Sequence, residues 1–310
     1  MKLTSINDIT FESAKANTYD LAIFACGYES RCQFISSQLN HSNINRQLIF
    51  GFEFVGDAML RAESDKHFQQ KWGIAPTILP SPNELEVYRL LNQEIRDSKA
   101  KISRVLVDYS SMSRSWYAAI LNWFRFSELQ SEVVVDFVYS AGEYSGDFAP
   151  ISVESILPLP GCEGSSGTVT KSIAVMGLGF ENLAPLCVLD KLQPDEIFAY
   201  FASPSLNESY PTIARSKNKE LIDVARETLE LPLTSIELTV AKLAEVISPY
   251  LKTADITFVP MGPKPHVLAT ILLAIRFNQV TCLHVHGKCQ NIADIVASGD
   301  VIATSLQFRH

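Results

Sequence analysis

What this chain lacks narrows its class first. Its six cysteines form no Cys-x-x-Cys pair and have no histidine at zinc-finger spacing, so the pattern indicates neither a redox motif nor a structural zinc site. No apolar run approaches the ~20 residues a membrane helix needs. The run Val267 to Ile275, broken by Thr270, stops at Arg276. The polar start Met1-Lys2-Leu3-Thr4-Ser5 has no apolar secretion core, so a cytoplasmic chain without membrane contact is expected. Basic excess is also missing. Lys and Arg number 26 against 34 Asp and Glu, a formal net charge of −8. That balance argues against long nucleic acid as a partner, because nonspecific phosphate binding needs a basic field. It leaves room for a small anion in a local pocket. With 14 Gly and 15 Pro the chain is neither collagenous nor a linker, and 47% hydrophobic residues are too many for disorder.

What is present is an alternation of short β-rich runs and helical stretches over 310 residues, enough for two domains of about 150. In the first half, strands are expected at 21–26, 47–54, 76–79, 104–108 and 132–139. Helices are expected at 31–39, 58–72, 82–99 (with Pro82 in the first turn) and 113–127. The stretch 139–170, rich in glycine and proline, reads as a connector. In the second half, strands are expected at 172–176, 196–202, 234–238, 256–260 and 280–286, with helices at 181–190, 218–229, 241–251 and 266–277. Apolar strands separated by helices imply parallel sheets covered on both faces.

The halves superpose. Gly27-Tyr28-Glu29 and Gly179-Phe180-Glu181 each follow a first strand and lie 152 residues apart. Asp108 and Pro260, each ending a fourth strand, share that spacing. The helices that follow close on Arg125-Phe126 and Arg276-Phe277, with one residue deleted. These coincidences in order predict an α/β fold of two tandem Rossmann-like, doubly wound parallel-sheet units related by internal duplication, 1–150 and 151–310.

In such sheets ligands bind beyond the carboxyl ends of the strands, where helix N-termini favour anions. Four loops therefore hold the candidates. In Cys26-Gly27-Tyr28-Glu29-Ser30-Arg31, Gly27 permits close backbone approach, Tyr28 offers a stacking face and Arg31 a phosphate fork. The same segment also reads as a helix turn capped by Ser30. Its partner around Gly179 and Phe180 contains Gly-x-Gly but lacks the third glycine of a dinucleotide fingerprint. In Val107 to Arg114, the hydroxyls of Ser110, Ser111 and Ser113 crowd Asp108 and Arg114 before an apolar helix. The turn Pro260-Met261-Gly262-Pro263-Lys264-Pro265 is stiff, with Gly262 open to close approach and Lys264 supplying charge. Ser203, after the second strand of the second half, and Glu53 and Asp57, after that of the first, occupy the ribose-facing zone. Trp72, Trp116 and Trp123 read as core anchors. His284 and His286 alternate on one strand and share a face, but no third ligand stands at a telling spacing, so no metal is assigned.

The Asp-x-Ser-x-x-Ser-Arg arrangement at 108–114 and the Gly-Pro-Lys turn at 262–264 resemble the ligand loops of CRISPR-associated Rossmann-fold (CARF) sensors. Two such units in one chain resemble SAVED domains. The resemblance implies a sensor of a nucleotide or cyclic oligonucleotide signal in bacterial antiviral defence. It gives Ser111, Ser113, Arg114, Gly262 and Lys264 ligand-contacting roles and lines the first-strand loops with Gly27, Tyr28, Gly179 and Phe180. No effector motif is visible, so an effector protein partner is expected and no separate cofactor; assembly with further copies of the chain stays open. An enzyme on the same scaffold, either a phosphodiesterase degrading the signal or a nucleotide-dependent transferase, and an interaction subunit with vestigial pockets remain the alternatives.

Overall fold

The structure, a computed structural model, describes residues 1–53, 58–80, 84–97, 102–129, 131–144, 151–165, 169, 171–288 and 294–310. Asp57, Pro82 and Cys289 lie outside them. The chain forms two compact units, Met1–Ser145 with Ile292–His310, and Gly146–Asn291.

The first unit runs β1 (Lys2–Ile9), α1 (Phe11–Ala16), β2 (Leu21–Cys26), a 3₁₀ turn at Ser30–Gln33, α2 (Phe34–Gln38), β3 (Gln47–Phe52), α3 (Ala58–Trp72), β4 (Thr77–Leu79), α4 (Glu84–Leu91), β5 (Arg104–Asp108), α5 (Arg114–Phe126) and β6 (Val133–Gly142). The second runs β7 (Ser152–Pro158), β8 (Lys171–Leu178), α6 (Leu183–Leu192), β9 (Glu196–Ala202), α7 (Ser209–Lys217), α8 (Lys219–Val224), β10 (Glu227–Leu231), α9 (Ile236–Ile247), β11 (Ala254–Pro260), α10 (Lys264–Arg276) and β12 (Val280–Lys288). The last strand, β13 (Ala297–Arg309), returns to the first unit.

Strand order is β1-β13-β6-β5-β2-β3-β4 in one sheet and β10-β9-β8-β11-β12-β7 in the other. Five consecutive strands of each are parallel, with antiparallel strands added only beyond β6 and β12. The two units are therefore the same doubly wound, Rossmann-like α/β topology. The central parallel strands are apolar because helices cover both faces: every residue of β2 is buried. The helices after the fourth parallel strands sink deepest. Ser115 to Leu121 in α5 and Pro265 to Ile275 in α10 are all buried. Trp72, Trp116 and Trp123 are core residues.

Several elements differ from the sequence reading. Residues 234–238 are not a strand: Ser235 accepts the Leu238 N–H and caps α9, and the edge strand is Glu227–Leu231. Of the expected helix at 218–229 only α8, Lys219–Val224, is formed, and α7, Ser209–Lys217, precedes it. The connector 139–170 contains β7, and the tail contains β13, which pairs with both β1 and β6. The chain after 150 is thus shared between the two units. Among the described residues no helix is long and apolar enough to cross a membrane.

Candidate functional site

In each unit the sheet winds outward in opposite directions from a central pair of neighbours, β2 with β5 and β8 with β11. In folds of this kind ligands bind between the loops leaving such a pair.

In the first unit the loops meet at Gly27 and Ser111. A Cβ on Gly27 would stand 3.2 Å from the Ser111 Cβ, so the glycine admits the serine. Ser111 is 9% exposed, and its Oγ is buried with no hydrogen-bond partner. Asp108 and Ser110 turn inward. Asp108 Oδ1 accepts from the Ser110 amide at 3.0 Å and the Ser110 hydroxyl at 2.5 Å, and Ser110 Oγ accepts from the Ser140 amide at 2.8 Å. This buried latch ties the loop to β6. Ser113 caps α5, accepting from the Trp116 amide at 3.2 Å, and Arg114 is the first helical residue, half-buried.

Arg31 is buried. Its Nε pairs with Glu29 at 2.6 Å, Nη1 donates to the Tyr139 hydroxyl at 3.1 Å, and the guanidinium lies 5.5 Å from the Tyr139 ring centroid. Burial opposes its charge, but Tyr139 and Glu29 outweigh that and hold its pKa above the ordinary value. Ser30 does not cap the turn, as one sequence reading had it. Its amide donates to Asp294 at 2.7 Å, its Oγ is buried without a partner, and Glu29 occupies the cap position. Tyr28 stands half-buried on the same loop. Cys26 and Cys32 flank it as free thiols, and burial pushes the Cys32 pKa up to about 11, so neither is a ready nucleophile.

In the second unit the loops touch through backbone. The Met261 amide donates to the Gly177 carbonyl at 2.8 Å. A Cβ on Gly262 would fall 2.8 Å from the Leu178 carbonyl oxygen, and one on Gly179 3.0 Å from that of Met261. Pro263 holds the cap position of α10 without a side-chain bond, and Lys264 is the first helical residue. Arg114 and Lys264 are therefore equivalent: each opens a 13-residue helix after a fourth parallel strand. The loop before Lys264 is two residues shorter, and the latch formed by Ser110 is absent from it. Phe180 packs edge-on against Tyr210 at 5.1 Å, and Ser203 donates its hydroxyl to Glu230 at 2.6 Å. Glu53 is exposed.

Other residues at the strand ends escaped the sequence reading. Arg61 is buried beside Gly51, bonded to the Phe52 carbonyl at 2.9 Å and to Asp65 at 2.8 Å. A cation in the first turn of a helix opposes the dipole, and that misfit was the available signal. Asn218 donates to the Gly179 carbonyl at 2.8 Å and leaves its Oδ1 buried and unpaired. His266 lies 5.7 Å from the Tyr200 ring, with Nδ1 unpaired. The Phe50–Trp116 pair at 5.6 Å is its apolar counterpart in the first unit. Nothing in the local sequence announced either pair.

The fold defines a class: an α/β protein of two Rossmann-like units. No family model and no curated protein matches the chain. Among solved structures, one described as a type III CRISPR defence DNA nuclease activated by cyclic oligoadenylate shares the fold with a TM-score of 0.52 at 8% identity. The match covers 84% of this chain and 64% of that one, less than two thirds of its length. Two structures described as short-chain dehydrogenases also align, from Escherichia coli with NADPH and Shigella flexneri with NADP, at 8% and 10% identity. They cover 80% and 86% of this chain and 78% and 98% of theirs, with TM-scores of 0.22 and 0.23, too low to indicate a common fold.

Proposed function

We propose that this chain is a sensor of a phosphate-bearing nucleotide signal, a cyclic oligoadenylate before others, that acts with an effector protein in antiviral defence. The observation that carries the reading is the equivalence of Arg114 and Lys264. Each is the first residue of a deeply buried helix at a switch point, where the helix dipole and a side-chain cation favour the same anion. The unpaired Ser111 hydroxyl beside Gly27 adds a polar group that a ligand could satisfy. The fold shared with a nuclease described as activated by cyclic oligoadenylate supports that choice of signal.

Ligand that binds only the folded chain raises its melting temperature. Cyclic oligoadenylates are expected to do so, and Arg114→Ala and Lys264→Ala each to weaken the effect by roughly 10- to 100-fold in ligand concentration, as loss of a charged hydrogen bond implies. The unliganded melting temperatures, measured alongside, separate lost binding from lost stability. Chromatography of the incubated ligand separates a receptor, which returns it intact, from a phosphodiesterase. Variants that respond like the parent would contradict the proposal.

A further inference from the structure

His284 and His286 take no part in the loops described above. Both project from the same face of β12, being two residues apart on a strand, and their ring centroids stand 3.9 Å apart. Both side chains are partly exposed. The face they share is identified by neighbours on either side. Cys282, two residues earlier, meets Thr270 of α10 with Sγ and Oγ1 3.4 Å apart. Leu283 and Val285 point the other way, into the core with Val188 and Ala214.

The Thr270–Cys282 contact also sets the level of helix against strand. From Thr270 back to Lys264 the helix climbs about 9 Å toward the carboxyl ends of the strands. From Cys282, His284 lies about 7 Å and His286 about 13 Å in the same direction. The imidazole pair is therefore level with the first turn of α10. The first unit carries Val138 and Ser140 at the matching places, since Leu106 pairs with Asp136 there as Phe258 pairs with Cys282 here.

We infer that His284 and His286 form a binding site for a divalent transition-metal ion of the kind that prefers imidazole nitrogen, such as Cu²⁺, Ni²⁺ or Zn²⁺. Two nitrogens each about 2.0–2.1 Å from one ion in tetrahedral array lie roughly 3.3 Å apart. The rings, whose centres stand 3.9 Å apart, swing outward about their side-chain bonds to aim one nitrogen each at the ion. Among the described residues no third His, Cys, Asp or Glu completes a cluster. The site is thus a two-nitrogen one whose remaining positions go to water or to an anion. Residues suited to Mg²⁺, which demands oxygen ligands, are not what this face offers.

The site is tested with metal alone, on the untagged chain stripped with a chelator. Calorimetric titration is expected to give Cu²⁺ tightest, Ni²⁺ and Zn²⁺ weaker and Mg²⁺ undetectable, following imidazole preference. His284→Gln and His286→Gln should each weaken binding at least about tenfold, while His41→Gln leaves it unchanged. Electron paramagnetic resonance of the Cu²⁺ form of the parent chain should show coupling to two nitrogens, a readout that needs no variant to fold. Unaltered affinity in a variant carrying both His284→Gln and His286→Gln, comparable binding of Mg²⁺, or a Cu²⁺ spectrum without nitrogen coupling would overturn the inference. None of these outcomes depends on whether the chain binds a nucleotide.

Discussion

His266 is a group whose protonation the folded second unit resists. It is 1% exposed, between the Pro232 carbonyl and the Tyr200 ring, and burial lowers its pKa to about 4 against the pull of the Pro232 hydrogen bond. Unfolded, it titrates near 6.5. Between those values the unfolded chain holds a proton that the folded chain does not. Stability is therefore full above pH 6.5 and declines as pH falls toward 4, by on the order of 3 kcal/mol at most. Urea denaturation at pH 7.5 and 4.5 should show this loss in the parent and a smaller one in His266→Phe; parallel profiles would contradict it. A second expectation concerns the glycines. Gly262→Ala puts a methyl group 2.8 Å from backbone, whereas Gly27→Ala meets a serine Cβ at 3.2 Å. The first should cost about 1–3 kcal/mol and the second less, by the same denaturation measurement. At this scale the sequence exposed the loops and their cations, because glycine and charge at strand ends are local features. The inward turn of Asp108 and Ser110 was hidden, since its other anchor, Ser140, lies thirty residues on.

At the scale of elements, the paired helices α5 and α10 begin with different devices. Ser113 caps α5 with its side chain, whereas Pro263 gives α10 only the right backbone. Ser113→Ala should cost about 1 kcal/mol. Serine at 263 should not reduce stability, since proline there supplies no side-chain bond; thermal melting of both variants checks the pair. The parallel strands were legible from their unbroken apolar runs. Over 218–238 sequence and structure differ because Glu227-Thr228-Leu229-Glu230-Leu231 forms an edge strand whose glutamates look helical in composition. The cap at Ser235 was also overlooked. β1, β7 and β13 are not evident in the sequence because these antiparallel strands mix polar and apolar residues, and sequence alone does not name a partner some 300 residues away.

At the scale of the whole molecule, the duplication read from a 152-residue spacing is real in topology, and the chain nevertheless does not divide at one point. β13 lies between β1 and β6, so the first unit is completed by residues that follow the second. Deleting 294–310 should strip protection from β6 and β1 in hydrogen exchange and leave β8 and β11 protected; equal protection in both units would contradict this division. The proposed sensing role rests on the equivalent helix starts at Arg114 and Lys264 in the two units. Its most direct test is isothermal titration calorimetry of the intact chain against cyclic and linear oligoadenylates of several lengths. The account expects saturable heats with at least one cyclic species, lost when Arg114 and Lys264 are both replaced by alanine. A folded chain that gives no heat with any of them would contradict it.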